Sequence, residues 1–139
     1  MRIKIREKNI FCKLIMEKYS CLLSVDMING ISIDSREVKK GDIFIGLIGD
    51  NTDGSIHAGE ALELGASLVV VNRKKNIIKN SKILEVESTS NFLYDFSKLW
   101  LKNFDCEFIG ITGSNGKTST KEILYKFFST SFNTFKTPG

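Results

Sequence analysis

With 139 residues, 42% of them hydrophobic and 26% charged, the chain has room for one ordinary domain, or a small domain plus a piece of another, and its composition excludes intrinsic disorder. Its net charge of +4 comes from 20 Lys and Arg against 16 Asp and Glu, spread along the sequence without the block of about five or six basic residues that a nucleic-acid-binding arm would carry. Three cysteines (Cys12, Cys21 and Cys106) without C-x-x-C spacing argue against a disulfide framework or zinc site; no apolar run approaches the ~18 residues of a membrane span, and no signal-type apolar core follows the basic N-terminus.

Reduced thiols and the absence of a span place the expected protein in the cytoplasm, without membrane insertion; no nucleic-acid partner is expected, and the expected state is a monomer. Along the chain, Ile10, Phe11, Leu14 and Ile15 fall at helical spacing and predict a helix over 8–19. Residues 28–33 alternate and predict a strand, and the apolar run 42–48 between Gly41 and Gly49 predicts a buried one. A helix over 56–64 is closed by Gly65. The Val-rich run 67–72 is the clearest buried strand, with another over 83–86. Arg73, Lys74, Lys75 and Lys79 read as a polar loop between them.

A long helix follows over 90–103, with Phe92, Phe96, Leu99 and Trp100 on one face. Such a stripe is core rather than a ligand box. Residues 106–111 predict a strand. Residues 117–130 predict a helix with Ile123, Leu124, Phe127 and Phe128 on one face. Strands alternating with helices make the fold class α/β. A new strand–loop–helix unit begins near Asn103–Asp105, which sets the domains at 1–104 and 105–139.

The segment most informative about chemistry is Gly110-Ile-Thr-Gly-Ser-Asn-Gly-Lys-Thr-Ser-Thr120. It lies after a predicted strand and before a predicted helix, the context of a phosphate loop. Glycines let successive N–H groups point at one anion, and a helix N-terminus adds further N–H groups and a favourable dipole. Gly113, Ser114, Asn115, Gly116, Lys117, Thr118 and Ser119 are the expected ATP-binding residues. Lys117 would bring a point charge to the β- and γ-phosphates as the catalytic residue, and the Thr118 hydroxyl would reach Mg²⁺. The generic spacing G-x-x-x-x-G-K-[ST] is not kept, because position 111 is Ile. The bland alternative is a glycine-rich turn followed by chance by Lys-Thr.

The segment from Thr112 to Thr118 resembles the variant ATP loop of the Mur ligase family, which departs from the generic spacing at the same place. A second block is similar to that family's UDP-binding domain: Ile33-Asp34-Ser35-Arg36, then Lys40 to Gly49, Asp53-Gly54 and Gly65-Ala66. The resemblance covers about residues 28–139. It implies a small N-terminal α/β domain that binds the UDP end of a UDP-N-acetylmuramoyl peptide. That domain leads into the first strand, phosphate loop and helix of a central ATPase domain. It also implies ATP and Mg²⁺ as cofactors.

Thr120-Lys121-Glu122 and Thr137-Pro138-Gly139 resemble the branch of the family that adds D-alanyl-D-alanine to the UDP-linked peptide through an acyl phosphate. The sibling branch that adds the third amino acid shares the Asp-Ser-Arg block and is the alternative. By resemblance, Ser35 contacts the pyrophosphate, and Ile33, Asp50, Asn51 and Thr52 lie near the uridine or its ribose. Read without the family, Asp34-Ser35-Arg36 is better explained by a turn in which Asp34 bonds local N–H groups, with Arg36 pairing to Asp34 or Asp42, and the resemblance reverses that preference for Ser35 alone.

The chain departs from the family pattern at Ser55, where His is common, and at His57, where Phe is common. A lone His57 on a short helix reads as a surface or core residue rather than a catalyst. The resemblance further implies that acidic metal ligands, a carboxylated lysine and a C-terminal domain lie beyond Gly139. The chain is therefore expected to be an incomplete portion of such a ligase, unable to ligate by itself, with no general base within it. A non-catalytic nucleotide-binding module and a phosphate-loop NTPase of another pathway are the remaining classes.

Overall fold

The computed structural model describes residues 2–19, 24–49, 52–73 and 80–138. The chain divides into two compact units, Met1–Phe104 and Asp105–Gly139. In the first, five strands form one sheet whose spatial order follows the chain: β1 (Arg2–Lys4), β2 (Gly30–Ser32), β3 (Asp42–Ile45), β4 (Leu68–Asn72) and β5 (Ile83–Val86). β1 runs antiparallel to β2, and β2 through β5 are parallel. The helices of this unit are α1 (Lys8–Tyr19), α2 (Ala58–Glu63) and α3 (Thr89–Leu101). The α/β class expected from the alternation of elements is the one observed.

A parallel sheet must be covered on both faces, so its central strands are apolar except at Asp42, which starts β3, and Asn72, which ends β4. All five residues of β4 are buried, and all four of β3. Their side chains alternate between two cores. Ile43, Ile45, Leu68 and Val70 point to one, with Phe11, Cys12 and Ile15 of α1 and Phe92 and Phe96 of α3. Phe44, Val69 and Val71 point to the other, with Ala58 and Ala61 of α2. Of the stripe predicted as core, Phe92 and Phe96 are core, Trp100 packs against it, and Leu99 is half-buried outside it. The Phe11 and Phe96 rings stand 4.7 Å apart and those of Tyr19 and Phe92 4.8 Å apart. Trp100 is only half-buried, with its ring 5.9 Å from that of Phe11.

Several boundaries differ from the sequence reading, for local reasons. The run 42–48 stops as a strand at Ile45, because Leu47 N–H turns back to the Ile45 carbonyl at 3.0 Å. The helix predicted over 56–64 splits into a 3₁₀ turn, Gly54–His57, and α2. Its end is a Schellman closure: Gly65, at φ +90°, donates to Leu62 and Ala66 donates to Ala61. At α3 the Ser88 side chain caps the start, accepting from Asn91 N–H at 3.2 Å. β1 was not anticipated.

In the second unit one helix forms, α4 (Lys117–Phe128). The strand predicted over 106–111 is a correction: among the described residues this segment pairs with no strand. Its composition suits a strand, but a strand exists only through hydrogen bonds to a neighbour, and no other strand occurs in this unit among the described residues. Of the apolar face predicted for α4, Leu124 and Phe128 are half-buried while Ile123 and Phe127 are exposed. Lys136 ties the C-terminal stretch to α4 through an ion pair with Glu122 and a position over the Tyr125 ring, 4.6 Å from its centre. Cys12 is buried and Cys106 exposed, both as free thiols; Cys21 lies outside the described residues. No helix among the described residues is long and apolar enough to cross a membrane.

Candidate functional site

In open α/β sheets, ligands settle beyond the C-terminal ends of parallel strands, where loops diverge and N–H groups are free to bond. Two of the stretches singled out from the sequence lie there in the first unit. Just past β2, Asp34 caps a 3₁₀ turn, Ser35–Glu37, by accepting from Arg36 N–H at 3.1 Å. The same carboxylate takes a two-pronged pair from the Arg36 guanidinium, at 2.9 and 2.8 Å. The guanidinium and the backbone N–H of Arg36 hold the Asp34 carboxyl down at about 2. The Ser32 hydroxyl accepts from Asp34 N–H at 3.2 Å and donates to the Asp34 carbonyl at 2.8 Å.

The turn is thus built by Ser32, Asp34 and Arg36, and Arg36 takes the first of the two partners proposed for it. Asp42 is engaged elsewhere, by Arg2. Ser35 is different. It is 6% exposed, yet its hydroxyl makes no hydrogen bond among the described residues. Ile33, next to the turn, is 37% exposed.

Past β3 the chain makes a narrow excursion. Gly54 N–H donates to the Leu47 carbonyl and Gly49 N–H to the Thr52 carbonyl, both at 2.8 Å, and Ile48 bridges Asp53 in antiparallel fashion. Thr52 is exposed near its tip; Asp50 and Asn51 lie outside the described residues. His57 sits on the surface, 3.3 Å from Glu60. At the base of the excursion lie three polar residues that sequence reasoning assigned no role, Ser55, Asn72 and Thr89. The available signal was an Asn ending an otherwise all-apolar strand.

In the second unit the loop before α4 carries two glycines in conformations that other residues rarely adopt, Gly113 at φ +143° and Gly116 at φ +76°. Gly116 is the helix N-cap, and the first bond of the helix ladder is Thr120 N–H to its carbonyl, at 2.9 Å. The N–H groups of Lys117, Thr118 and Ser119 precede that bond and form the positive end of the helix. The Lys117 ammonium is held over the loop, donating to the Gly113 carbonyl and, at 3.4 Å, to that of Ser114. Ser114 and Asn115 form the bend between the two glycines. Lys117, Thr118 and Lys121 line a cleft of about 230 Å³ with Ile109, Ile111, Thr137 and Pro138. Its polar lining is cationic or hydroxylic, which suits phosphate oxygens. As a metal site its side chains offer the Thr118 and Thr137 hydroxyls and no carboxylate, and among the described residues no group of three acidic, His or Cys side chains could hold an ion.

A profile of the Mur ligase family, catalytic domain, matches residues 27–99, more than half of the chain. The chain belongs to the Mur ligase family. The Mur ligase middle domain matches residues 111–139, so the phosphate loop falls in it, and Ser35 falls in the first match. The chain is 32% identical over 114 residues to the UDP-N-acetylmuramoyl-tripeptide–D-alanyl-D-alanine ligase of Bacillus subtilis, covering 81% of the chain and 25% of that protein. It is 33% identical over 102 residues to the UDP-N-acetylmuramoyl-L-alanyl-D-glutamate–2,6-diaminopimelate ligase of Rickettsia felis, covering 73% of the chain and 19% of that protein. Among solved structures it matches the MurF ligase of Thermotoga maritima in complex with ADP, with a TM-score of 0.71, 38% identity, and coverage of 78% of the chain and 25% of that structure. This Mur ligase chain therefore spans about a quarter of the length of the relatives it matches.

Proposed function

We propose that the chain supplies the UDP-substrate-binding unit and the ATP loop of a ligase that joins D-alanyl-D-alanine to UDP-N-acetylmuramoyl-tripeptide in peptidoglycan precursor synthesis. What carries this reading is that each of the two matched family stretches holds one element suited to an anion: the unengaged Ser35 hydroxyl at the sheet's C-terminal edge, and the glycine loop capping α4. In this reading residues 1–104 take the uridine diphosphate end. Ser35 bonds the pyrophosphate, and Ile33 with Asp50, Asn51 and Thr52 frames the uridine. Residues 105–139 take ATP, with Gly113, Ser114, Asn115, Gly116, Lys117, Thr118 and Ser119 around its phosphates.

The chemical task is activation of the peptide's terminal carboxylate as an acyl phosphate, which the amine of D-alanyl-D-alanine then attacks. In the transfer step, charge on the moving phosphoryl group is offset by the Lys117 ammonium and the N–H groups at the start of α4. Those donors are fixed before the reaction, so they need no reorganisation when charge develops. Thr118 would be the chain's contribution to Mg²⁺. Hydroxyls without a carboxylate do not make a metal site, and no step is routed through the ion.

The 33% identity to the diaminopimelate-adding ligase favours a second reading, in which the substrate is UDP-N-acetylmuramoyl-dipeptide and the third residue is added. The peptide preference separates the two. Calorimetric titration of the chain with each UDP-peptide should show tighter binding of the tripeptide, or of the dipeptide if the second reading holds. Ser35→Ala should weaken binding by about 1–2 kcal/mol, the loss expected for one hydrogen bond to a charged oxygen. A folded Ser35→Ala protein with wild-type affinity would remove Ser35 from the site.

A further inference from the structure

The excursion between β3 and α2 is fastened at its base by a buried polar cluster. Asn72, the last residue of β4, is 5% exposed, and Thr89, the first residue of α3, is 1% exposed. The Asn72 side-chain oxygen accepts from Thr89 N–H at 2.9 Å, satisfying one of the helix's unpaired donors. The Thr89 hydroxyl donates to the Gly46 carbonyl at 3.0 Å. Asn72 N–H donates to the Ser55 hydroxyl oxygen at 3.2 Å, and the Asn72 amide approaches the same oxygen at 3.4 Å. Four stretches converge there: the end of β3, the end of β4, the start of α3 and the return of the excursion.

The two stems of the excursion also touch backbone to backbone. A Cβ on Gly46 would lie 2.8 Å from Gly54 C, and one on Gly54 would lie 2.7 Å from the Leu47 carbonyl oxygen. Neither glycine can be replaced without moving main chain. The bridge from Ile48 to Asp53 then continues directly from this clamp. Where the clamp sits therefore decides where Gly49 and Thr52 stand.

We infer that Ser55, Asn72 and Thr89 are positioning residues, which lock the two stems, 46–49 and 52–55, in the place from which Gly49 and Thr52 meet the uridine nucleotide. This rests on the proposed substrate site. The three side chains meet main-chain groups of separate stretches, Thr89 N–H, the Gly46 carbonyl and Asn72 N–H, so they join the stem of the excursion to β4 and α3. A buried network of this kind selects one geometry, which is what a binding loop needs.

The test uses the full chain and UDP-N-acetylmuramoyl-tripeptide as probe. Thr89→Val keeps the side-chain shape and deletes the hydroxyl; Thr89→Ser keeps the hydroxyl. Ser55→Ala removes the other arm at a half-buried site and carries the test should Thr89→Val fail to fold. Affinity should fall about tenfold in Thr89→Val and Ser55→Ala and stay near wild type in Thr89→Ser, as expected for loss of one buried bond that fixes a contact loop. Amide exchange should accelerate across Leu47–Gly54 while Val69–Val71 stay protected. A purely structural role would lower the melting temperature without changing the affinity of the folded protein. Binding by the wild type with unchanged affinity and loop protection in the folded variants would overturn the inference alone. No binding by the wild type would overturn the uridine-nucleotide reading, and the inference with it.

Discussion

Arg2→Ala is expected to destabilise the first unit by about 3 kcal/mol, because it strands a buried carboxylate. The Asp42 side chain is 0% exposed and receives the Arg2 guanidinium at 2.5 and 2.7 Å. Its other bond is from Lys39 N–H at 2.9 Å. Without the guanidinium, a charge remains in the interior with one backbone donor. The Arg2 side chain is 22% exposed, so water can follow it in, which puts the cost at the lower end of the range for broken buried pairs. Thermal unfolding followed by circular dichroism should show a melting temperature lower by on the order of 10 °C. Asp42→Asn should cost less, since the amide can still accept from Lys39 N–H and Arg2 can turn to water. A melting temperature within about 2 °C of wild type for Arg2→Ala would show that the pair does not hold β1 to the sheet.

Lys117→Ala should weaken ATP binding by this chain by about 10- to 100-fold, the loss expected when a charge-assisted bond to a polyanion is removed. Lys117 is the first residue of α4, and its ammonium already lies over the loop carbonyls of Gly113 and Ser114. The truncation removes that cation but leaves the two glycines and the helix N–H groups in place. Where ligation can be assayed, the drop should reach at least ~100-fold, because the charge is needed most as the phosphoryl group moves. Affinity for the UDP-peptide should not change, since that site is assigned to the other unit. Calorimetry with both ligands reads both effects. Wild-type ATP affinity in the variant would remove Lys117 from the site.

Much of the fold could be read before any coordinates, for physical reasons. β4 was legible because a short Val-rich run bounded by Gly65 and Arg73 has few options other than burial on both faces. The helix stop at Gly65 was legible because a left-handed C-terminal residue is a local requirement. The Phe92 and Phe96 stripe was legible from its spacing. β1 was not, because its reason lies 40 residues away in Asp42: Arg2-Ile3-Lys4 reads as a basic tail until its partner is known.

The segment 106–111 failed in the opposite sense, since strand propensity was present and a neighbouring strand was not. At the candidate site, Asp34 and Arg36 proved to be what their local chemistry suggested, a self-paired turn. Ser35 could be singled out only through the family resemblance. Its burial with a free hydroxyl is a property of the turn around it and not of the residue type. Thr89 was silent, and Asn72 gave only its place at the end of an apolar strand, because a polar cluster assembled from four separate stretches leaves no spacing pattern in the sequence.

Nuclear magnetic resonance of the isotope-labelled chain, titrated in turn with UDP-N-acetylmuramoyl-tripeptide and ATP, tests most directly the claim that one chain carries two separate nucleotide sites. The UDP-peptide should shift the amides of Ile33–Arg36 and Gly49–Thr52 and leave those of Gly113–Ser119 in place, and ATP should do the reverse. A folded chain in which the UDP-peptide moves none of the amides near Ser35, or in which both ligands perturb only the α4 loop, would contradict the account.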